Sequence, residues 1–328
     1  MQREGQLIEN AVEVTDLRRE YTTRSFLNRT SRVTVALAGI SLRVGRGELF
    51  GLIGPNGAGK TTTIKILTTL LAPTSGRALI LGLDIERDMY EIRRRIGIVF
   101  GGERGLYNRV TAVENLRYFA NLYGVPPAEI SGRVSRLIKL VGLEGRENDR
   151  VEKYSRGMKQ RLHIAKALIH DPELVFLDEP TIGLDPGGAR DIRNMVRQMK
   201  QEGKTIFLTT HNMFEADELC DRIAVISKGS IVALDTPAGL KRLAKDISVI
   251  ELQTYEATPA FVERVQRIPG VTRVVPDLDS ERQVIKVQTA SPVEVLPQIV
   301  AAAGDVTIID KTIKEPSLED AYLRLVEE

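Results

Sequence analysis

The chain is poor in the residues that mark a disulfide-bonded, thiolate-metal or membrane-embedded protein. Cys220 is the only cysteine in 328 residues, so an internal disulfide is impossible and a cysteine-rich zinc site is excluded. A single thiol suits a reducing compartment. The opening decapeptide, MQREGQLIEN, has no apolar core of signal-peptide type. No stretch approaches the ~18 consecutive apolar residues that a membrane-spanning helix needs, so any membrane role is expected to come through a partner. An excess of one charge is missing too: 46 basic against 44 acidic residues leave a formal net charge of +2. That balance does not point to nucleic acid or an anionic membrane surface. Internal repeats and low-complexity tracts are absent.

What is there is ordinary globular material, 42% hydrophobic and 27% charged, long enough for a large core and a second domain. From Val12 to about Pro237, short apolar runs alternate with helix-period segments. Glu48 to Gly54, Arg95 to Phe100, Glu173 to Glu179, Thr205 to His211 and Arg222 to Ser227 read as strands. They are apolar on both faces, which predicts a mostly parallel sheet covered by helices. Thr61 to Leu71, Arg156 to Ile169 and Gly188 to Gln201 read as helices, the first two closed by Pro73 and Pro172. After Phe100 the strand pattern fades, and a helical insertion is expected over about residues 101–160. The polar stretch Thr22 to Arg32 reads as a hairpin tip; its Asn28-Arg29-Thr30 matches the glycosylation pattern by chance. Beyond Thr236-Pro237 the order becomes βαββαβ plus a final helix, Ser317 to Val326, which predicts a small ferredoxin-like α+β domain. The expected boundaries are 1–240 and 241–328.

Three motifs carry chemistry. Gly54-Pro55-Asn56-Gly57-Ala58-Gly59-Lys60-Thr61 fits G-x-x-x-x-G-K-[ST] and lies between a buried strand and a helix. The glycines let backbone N–H groups turn toward phosphates, and the helix start adds partial positive charge. Lys60 is expected on the β- and γ-phosphates, with Thr61 on Mg²⁺. In Leu174-Val175-Phe176-Leu177-Asp178-Glu179, an apolar strand ends in two carboxylates. Asp178 is placed to hold Mg²⁺ through water, and Glu179 to polarise an attacking water. Ser155, heading Ser155-Arg156-Gly157-Met158, is a natural N-cap for the amphipathic helix carrying Met158, Leu162, Ala165, Leu168 and Ile169, and helix starts attract anions.

Together these motifs resemble the nucleotide-binding subunits of ATP-binding cassette (ABC) proteins. YSRGMKQRL resembles the LSGGQ signature, LDEPTIGLDP the Walker B strand running into a D-loop at Gly183-Leu184-Asp185, and TTHNMFEADELCDRIAVISKG the switch-histidine segment. The resemblance spans roughly Val12 to Pro237. It implies an α/β P-loop ATPase core with a helical subdomain. ATP would be held by Gly54 to Thr62, with Pro55, Asn56, Gly57, Ala58, Gly59 and Lys60 around the phosphates. His211 would contact the γ-phosphate, and Glu179 and Lys60 would serve catalysis. Tyr21 would stack on adenine, or else belong to the core. A second ATP-binding subunit, in a head-to-tail dimer, would contribute Ser155 and Gly157, and Asp185 would bridge to it.

Two positions depart from the family pattern. Its usual glutamine after the strand ending at Phe100 is replaced by Gly102, and no Gln occurs between Gln6 and Gln160; either a water or Glu103 would take its place. Arg156 stands for the first glycine of LSGGQ, which implies ordinary helical geometry there, with its guanidinium toward solvent or toward phosphate.

TTTIKILTTLLAPTSGRALILG, the Met-type signature and the closing PSLEDAYLRLVEE resemble stand-alone ATPase subunits of ABC-2 type exporters, a group that includes drug- and antibiotic-resistance exporters. This implies an integral membrane permease as partner, a cytoplasmic location on the inner face of the membrane, and no nucleic acid. Docking is expected at Leu106, Tyr107 and Val113 to Tyr118, unless these fill the insertion's own core. The C-terminal domain would stabilise the dimer, regulate it or serve structure alone. The rival is a soluble ABC ATPase acting on a macromolecular complex; those that act on nucleic acid tend to carry paired cassettes, coiled-coil insertions or basic extensions, none of which is found in this sequence.

Overall fold

The protein is represented by a computed structural model that describes residues 10–24, 31–101, 105–243, 248–255, 257–277, 283–304, 306–314 and 316–327. The chain divides into two compact units, Met1–Thr236 and Pro237–Glu328.

The first unit opens with β1 (Asn10–Arg24) and β2 (Ser31–Gly45), a long antiparallel pair. The expected hairpin tip, including Asn28, falls mostly on residues 25–30, outside the described residues. Then come β3 (Leu49–Ile53), α1 (Lys60–Leu67), β4 (Ser75–Ile80), β5 (Leu83–Asp84), α2 (Met89–Arg95) and β6 (Ile96–Phe100). A helical stretch follows, with α3 (Ala112–Leu122), α4 (Pro127–Leu140), a single 3₁₀ turn at Val151–Lys153, and α5 (Arg156–Leu168). The chain returns through β7 (Leu174–Asp178), α6 (Pro186–Gln201), β8 (Thr205–Thr210), α7 (Met213–Leu219), β9 (Arg222–Ser227) and β10 (Ser230–Asp235).

Two sheets result. The larger has the order β10-β9-β3-β8-β7-β6 and is parallel except for its edge strand β10. Its central strands β3, β7 and β8 are buried at every residue, as both-face apolarity demands. Phe50, Phe176 and Phe207 stack across one face with ring centroids 5.4 and 5.5 Å apart. That face shares a core with a second, antiparallel sheet of order β2-β1-β4-β5, through Val12, Leu17, Leu37, Ile64 and Leu67. The segmentation predicts no such second sheet. Its register shifts at four places along β1, so strict alternation of apolar residues is lost.

Helix α1 is shorter than its apolar pattern. The Thr68 hydroxyl takes the Ile64 carbonyl at 2.7 Å, and Thr69 turns to φ +62°, ending the helix at Leu67 well before Pro73. In the helical stretch, α3, α4 and α5 pack on one another. Thr111 and Glu114 form a reciprocal capping box that fixes the start of α3.

The second unit contains α8 (Pro237–Arg242), β11 (Ser248–Tyr255), α9 (Pro259–Gln266), β12 (Val271–Asp277), β13 (Gln283–Thr289), α10 (Pro292–Ala301), β14 (Thr307–Lys314) and α11 (Leu318–Glu327). Its sheet has the order β12-β13-β11-β14 with every pair antiparallel. Ile250, Leu252, Phe261, Val265, Ile285, Val287, Val295 and Ile299 close the core between sheet and helices. The unit opens with the short helix α8, against which α11 packs. Strand β14 is an edge strand whose charged, exposed outer half carries no apolar pattern.

Candidate functional site

The carboxyl ends of β3, β8 and β7 lie side by side in the parallel sheet, and the loops leaving them make one site. From β3 the chain enters the loop Gly54 to Lys60. A Cβ on Gly54 would fall 2.3 Å from the Ile226 carbonyl oxygen, and one on Gly59, at φ +114°, 2.7 Å from that of Ala36. Glycine is therefore required by backbone packing on both sides of the loop. Gly59 directly precedes α1, so the free N–H groups of that helix open on the loop. Pro55, Asn56, Gly57, Gly59, Lys60, Thr61 and Thr62 line a pocket of about 130 Å³ together with Ala36 and Glu179. Ala58 packs into the core instead.

Lys60 is 4% exposed. Its Nζ donates to the carbonyl oxygens of Gly54 at 2.7 Å and Pro55 at 3.3 Å, and lies 3.2 Å from Glu179 Oε1. The neighbouring Thr61 hydroxyl donates to Asp178 Oδ2 at 3.0 Å. Asp178, the last residue of β7, is buried and also accepts from Thr209 Oγ1 at 2.5 Å. Glu179 follows at φ +48°, a backbone region that L residues seldom occupy, and this swings its carboxylate off the strand toward Lys60. The Glu179 N–H donates to the Thr209 carbonyl at 3.0 Å and so anchors that turn on β8. His211, one residue past β8, brings Nδ1 to 3.2 Å from Glu179 Oε2. Lys60, Thr61, Asp178, Glu179 and His211 thus converge: one buried cation, oxygen donors fit for a hard cation, and a carboxylate held beside a histidine.

Other expected residues stand apart. Tyr21, on β1, is 38% exposed rather than part of the core, with the Arg19 guanidinium 4.7 Å from its ring centroid. Ser155 caps α5, its hydroxyl accepting from the Met158 N–H at 3.2 Å, and Gly157 lies in the first turn behind it. Arg156 has helical geometry as the first residue of α5, with its guanidinium against Gly183. Asp185 caps α6 through Gly188 N–H at 3.3 Å. Gly102 and Glu103 lie outside the described residues.

Three residues escaped the motif reading. Ala36 reaches the pocket from β2, a long-range contact with no local pattern. Thr209 joins Thr61 in orienting Asp178; the two threonines that close the buried strand β8 were the available clue. Glu215, on α7, is fully buried and accepts from Thr181 Oγ1 at 3.2 Å, and burial raises its pKa above the ordinary carboxylate value. A larger cavity, about 290 Å³, borders α4, α5 and α6, with Leu137, Leu140, Leu168 and Met199 in its wall. Its Lys204 is already paired with Asp171, and none of the three motifs reaches it.

Residues 37–182 match the family model described as "ABC transporter". The linearmycin resistance ATP-binding protein LnrL of Bacillus subtilis is 36% identical over 88% of this chain and 92% of its own length. The daunorubicin resistance ATP-binding protein DrrA2 of Streptomyces coeruleorubidus is 37% identical over 88% of this chain and 90% of its own. Among solved structures, the dimeric ATP-binding cassette MJ0796 in a post-hydrolysis state with ADP and Pi superposes with a TM-score of 0.62, at 26% identity over 69% of this chain and 98% of that one. The phosphate loop, the paired carboxylates and the histidine meet in the fold of these relatives, and the chain belongs to the ATP-binding proteins of ABC transporters.

Proposed function

We propose that this chain is the ATP-hydrolysing subunit of an ABC-2 type exporter, driving a separately encoded membrane protein as one half of a head-to-tail dimer. The export part rests on one observation. The first unit holds 236 of 328 residues, or 72% of the chain, whereas the two resistance proteins match 88% of it. Their similarity therefore continues past the cassette into the C-terminal unit.

In this reading, Lys60 and the N–H groups opening α1 hold the β- and γ-phosphates. Thr61 and Asp178, whose oxygens are already 3.0 Å apart, fit a divalent metal, and Mg²⁺ held there would offset phosphate charge. Glu179 takes the proton of the attacking water, while His211 orients that carboxylate and the γ-phosphate. Tyr21 offers an exposed ring to adenine, and Ser155 and Gly157 of a second copy cover the nucleotide. Tyr107 and Tyr118, half-exposed with ring centroids 5.0 Å apart, give the helical stretch an aromatic surface for the membrane subunit. No helix among the described residues is long and apolar enough to cross a membrane. In the proposed arrangement the membrane subunit holds the chain on the cytoplasmic face and chooses the cargo, and residues 237–328 form an accessory domain.

The test is to read the neighbouring reading frame and, where it encodes a membrane protein, to co-express the two. Co-purification from detergent, with ATP turnover that responds to the membrane subunit, supports export. An ATPase that never associates with a membrane protein supports instead a soluble ATPase acting on a macromolecular complex.

A further inference from the structure

We propose that Arg156 is a positioning residue for hydrolysis, its guanidinium seating the D-loop of its own subunit from the start of α5. The proposal rests on the ATPase reading above.

Local helix chemistry does not explain an arginine at this position. Helix starts favour anions, yet the first turn of α5 has no acidic residue and carries Arg156 and Lys159. Among the described residues no carboxylate pairs with Arg156, which is exposed. What the side chain meets is Gly183. A Cβ built on that glycine would fall 2.3 Å from Nη1, 2.4 Å from Cζ and 2.6 Å from Nη2 of Arg156. Near-equal distances to three guanidinium atoms mean that the planar group lies flat over the glycine. Gly183 itself sits at φ +68°, where a side chain adds backbone strain as well.

The rest of the loop is pinned at both ends. Thr181 donates its hydroxyl to the buried Glu215 at 3.2 Å, and the Leu184 N–H returns to the Thr181 carbonyl at 3.2 Å. Asp185 is committed to capping α6. Gly183 is the unpinned middle, and Arg156 covers it. Ser155 and Arg156 are adjacent, so a shift of α5 carries both the helix cap and the cover of the D-loop. Glu179 lies only four residues before Gly183 along the same segment, so the position of this loop bears on the carboxylate that faces Lys60.

The test is a double-mutant cycle on full-length protein, read as kcat and KM for ATP. Arg156→Ala is expected to lower kcat about fivefold with KM changed less than about twofold, the pattern of a lost transition-state alignment. Gly183→Ala is expected to cost a smaller factor in the Arg156→Ala background than alone, because the added methyl no longer meets the guanidinium. Arg156→Lys keeps the charge without the plane and is expected to behave as Arg156→Ala; it also serves if the alanine variant fails to fold. Unchanged kcat in Arg156→Ala, full activity in Arg156→Lys, or factors that simply multiply would overturn the proposal. An unmutated protein without ATPase activity would instead overturn the reading on which it rests.

Discussion

Lys60 and Glu179 form an ion pair, with Nζ 3.2 Å from Oε1. The lysine is almost fully buried, while the glutamate's second oxygen faces His211 Nδ1 at 3.2 Å. One carboxylate is thereby shared between the phosphate loop and the segment after β8. In the proposed function a γ-phosphate arriving at Lys60 would compete with that carboxylate, which would link engagement of the nucleotide to release of the proposed base through a single pair of charges.

Lys60→Ala removes the cation that pairs with Glu179 and that is proposed to hold the phosphates. Losing one partner of a buried charge pair weakens binding by about 100-fold or more. Isothermal titration with ATP is expected to show this loss, and affinity within a few-fold of the parent would mean that the loop backbone alone holds the phosphates.

Thr209→Val keeps the shape of a buried residue and deletes the hydroxyl that donates to Asp178. Asp178 keeps the Thr61 hydroxyl and loses the other of its two donors, and a hydrogen bond to a charged group is worth about 1.5–3 kcal/mol. Denaturant melts are expected to show that loss of stability, and Mg²⁺ titration of ATPase activity a shift to higher concentration. An unchanged Mg²⁺ requirement would show that Asp178 is oriented by Thr61 alone.

Glu215 gives a pH dependence of defined sign. Burial, the largest influence on it, raises its pKa above the 4.5 of a free glutamate. A carboxyl with a raised folded pKa contributes its stability fully below the unfolded value and loses it as pH climbs through the folded one. Glu215→Gln, neutral throughout, is therefore expected to gain stability relative to the parent as pH rises above about 4.5. Melting temperatures of the two proteins across pH 4.5 to 8 check this; parallel curves would mean that Glu215 titrates at its ordinary value.

Cys220 is buried against Gly51, and burial pushes its thiol pKa up. A buried protonated thiol is unreactive. Disulfide-exchange reagents are expected to modify it only when the fold opens, so the labelling rate should follow denaturant concentration. Rapid labelling of the native protein would contradict the packing of α7 on β3.

The site was legible in the sequence where backbone and chemistry demand particular residue types. The loop Gly54 to Thr61, Asp178-Glu179 and His211 each lie at the carboxyl end of a buried strand, and strand order then brings them together. Tyr21 could not be placed, because β1 carries bulges that break its alternation and hide which face it presents. The same bulges concealed the antiparallel sheet. Contacts such as Arg156 on Gly183 or Thr209 on Asp178 join segments tens of residues apart, and no local pattern encodes them.

The central claim, that this chain hydrolyses ATP between two copies of itself, is tested most directly with Glu179→Gln. The substitution removes the proposed base and leaves in place Lys60, Thr61 and Asp178, the residues proposed to bind nucleotide and metal. Light scattering on the purified variant is expected to show a monomer without nucleotide and a dimer with Mg²⁺ and ATP, and phosphate release should fall by about 100-fold or more. A variant that stays monomeric at saturating ATP, or that hydrolyses at the parent rate, would contradict the account.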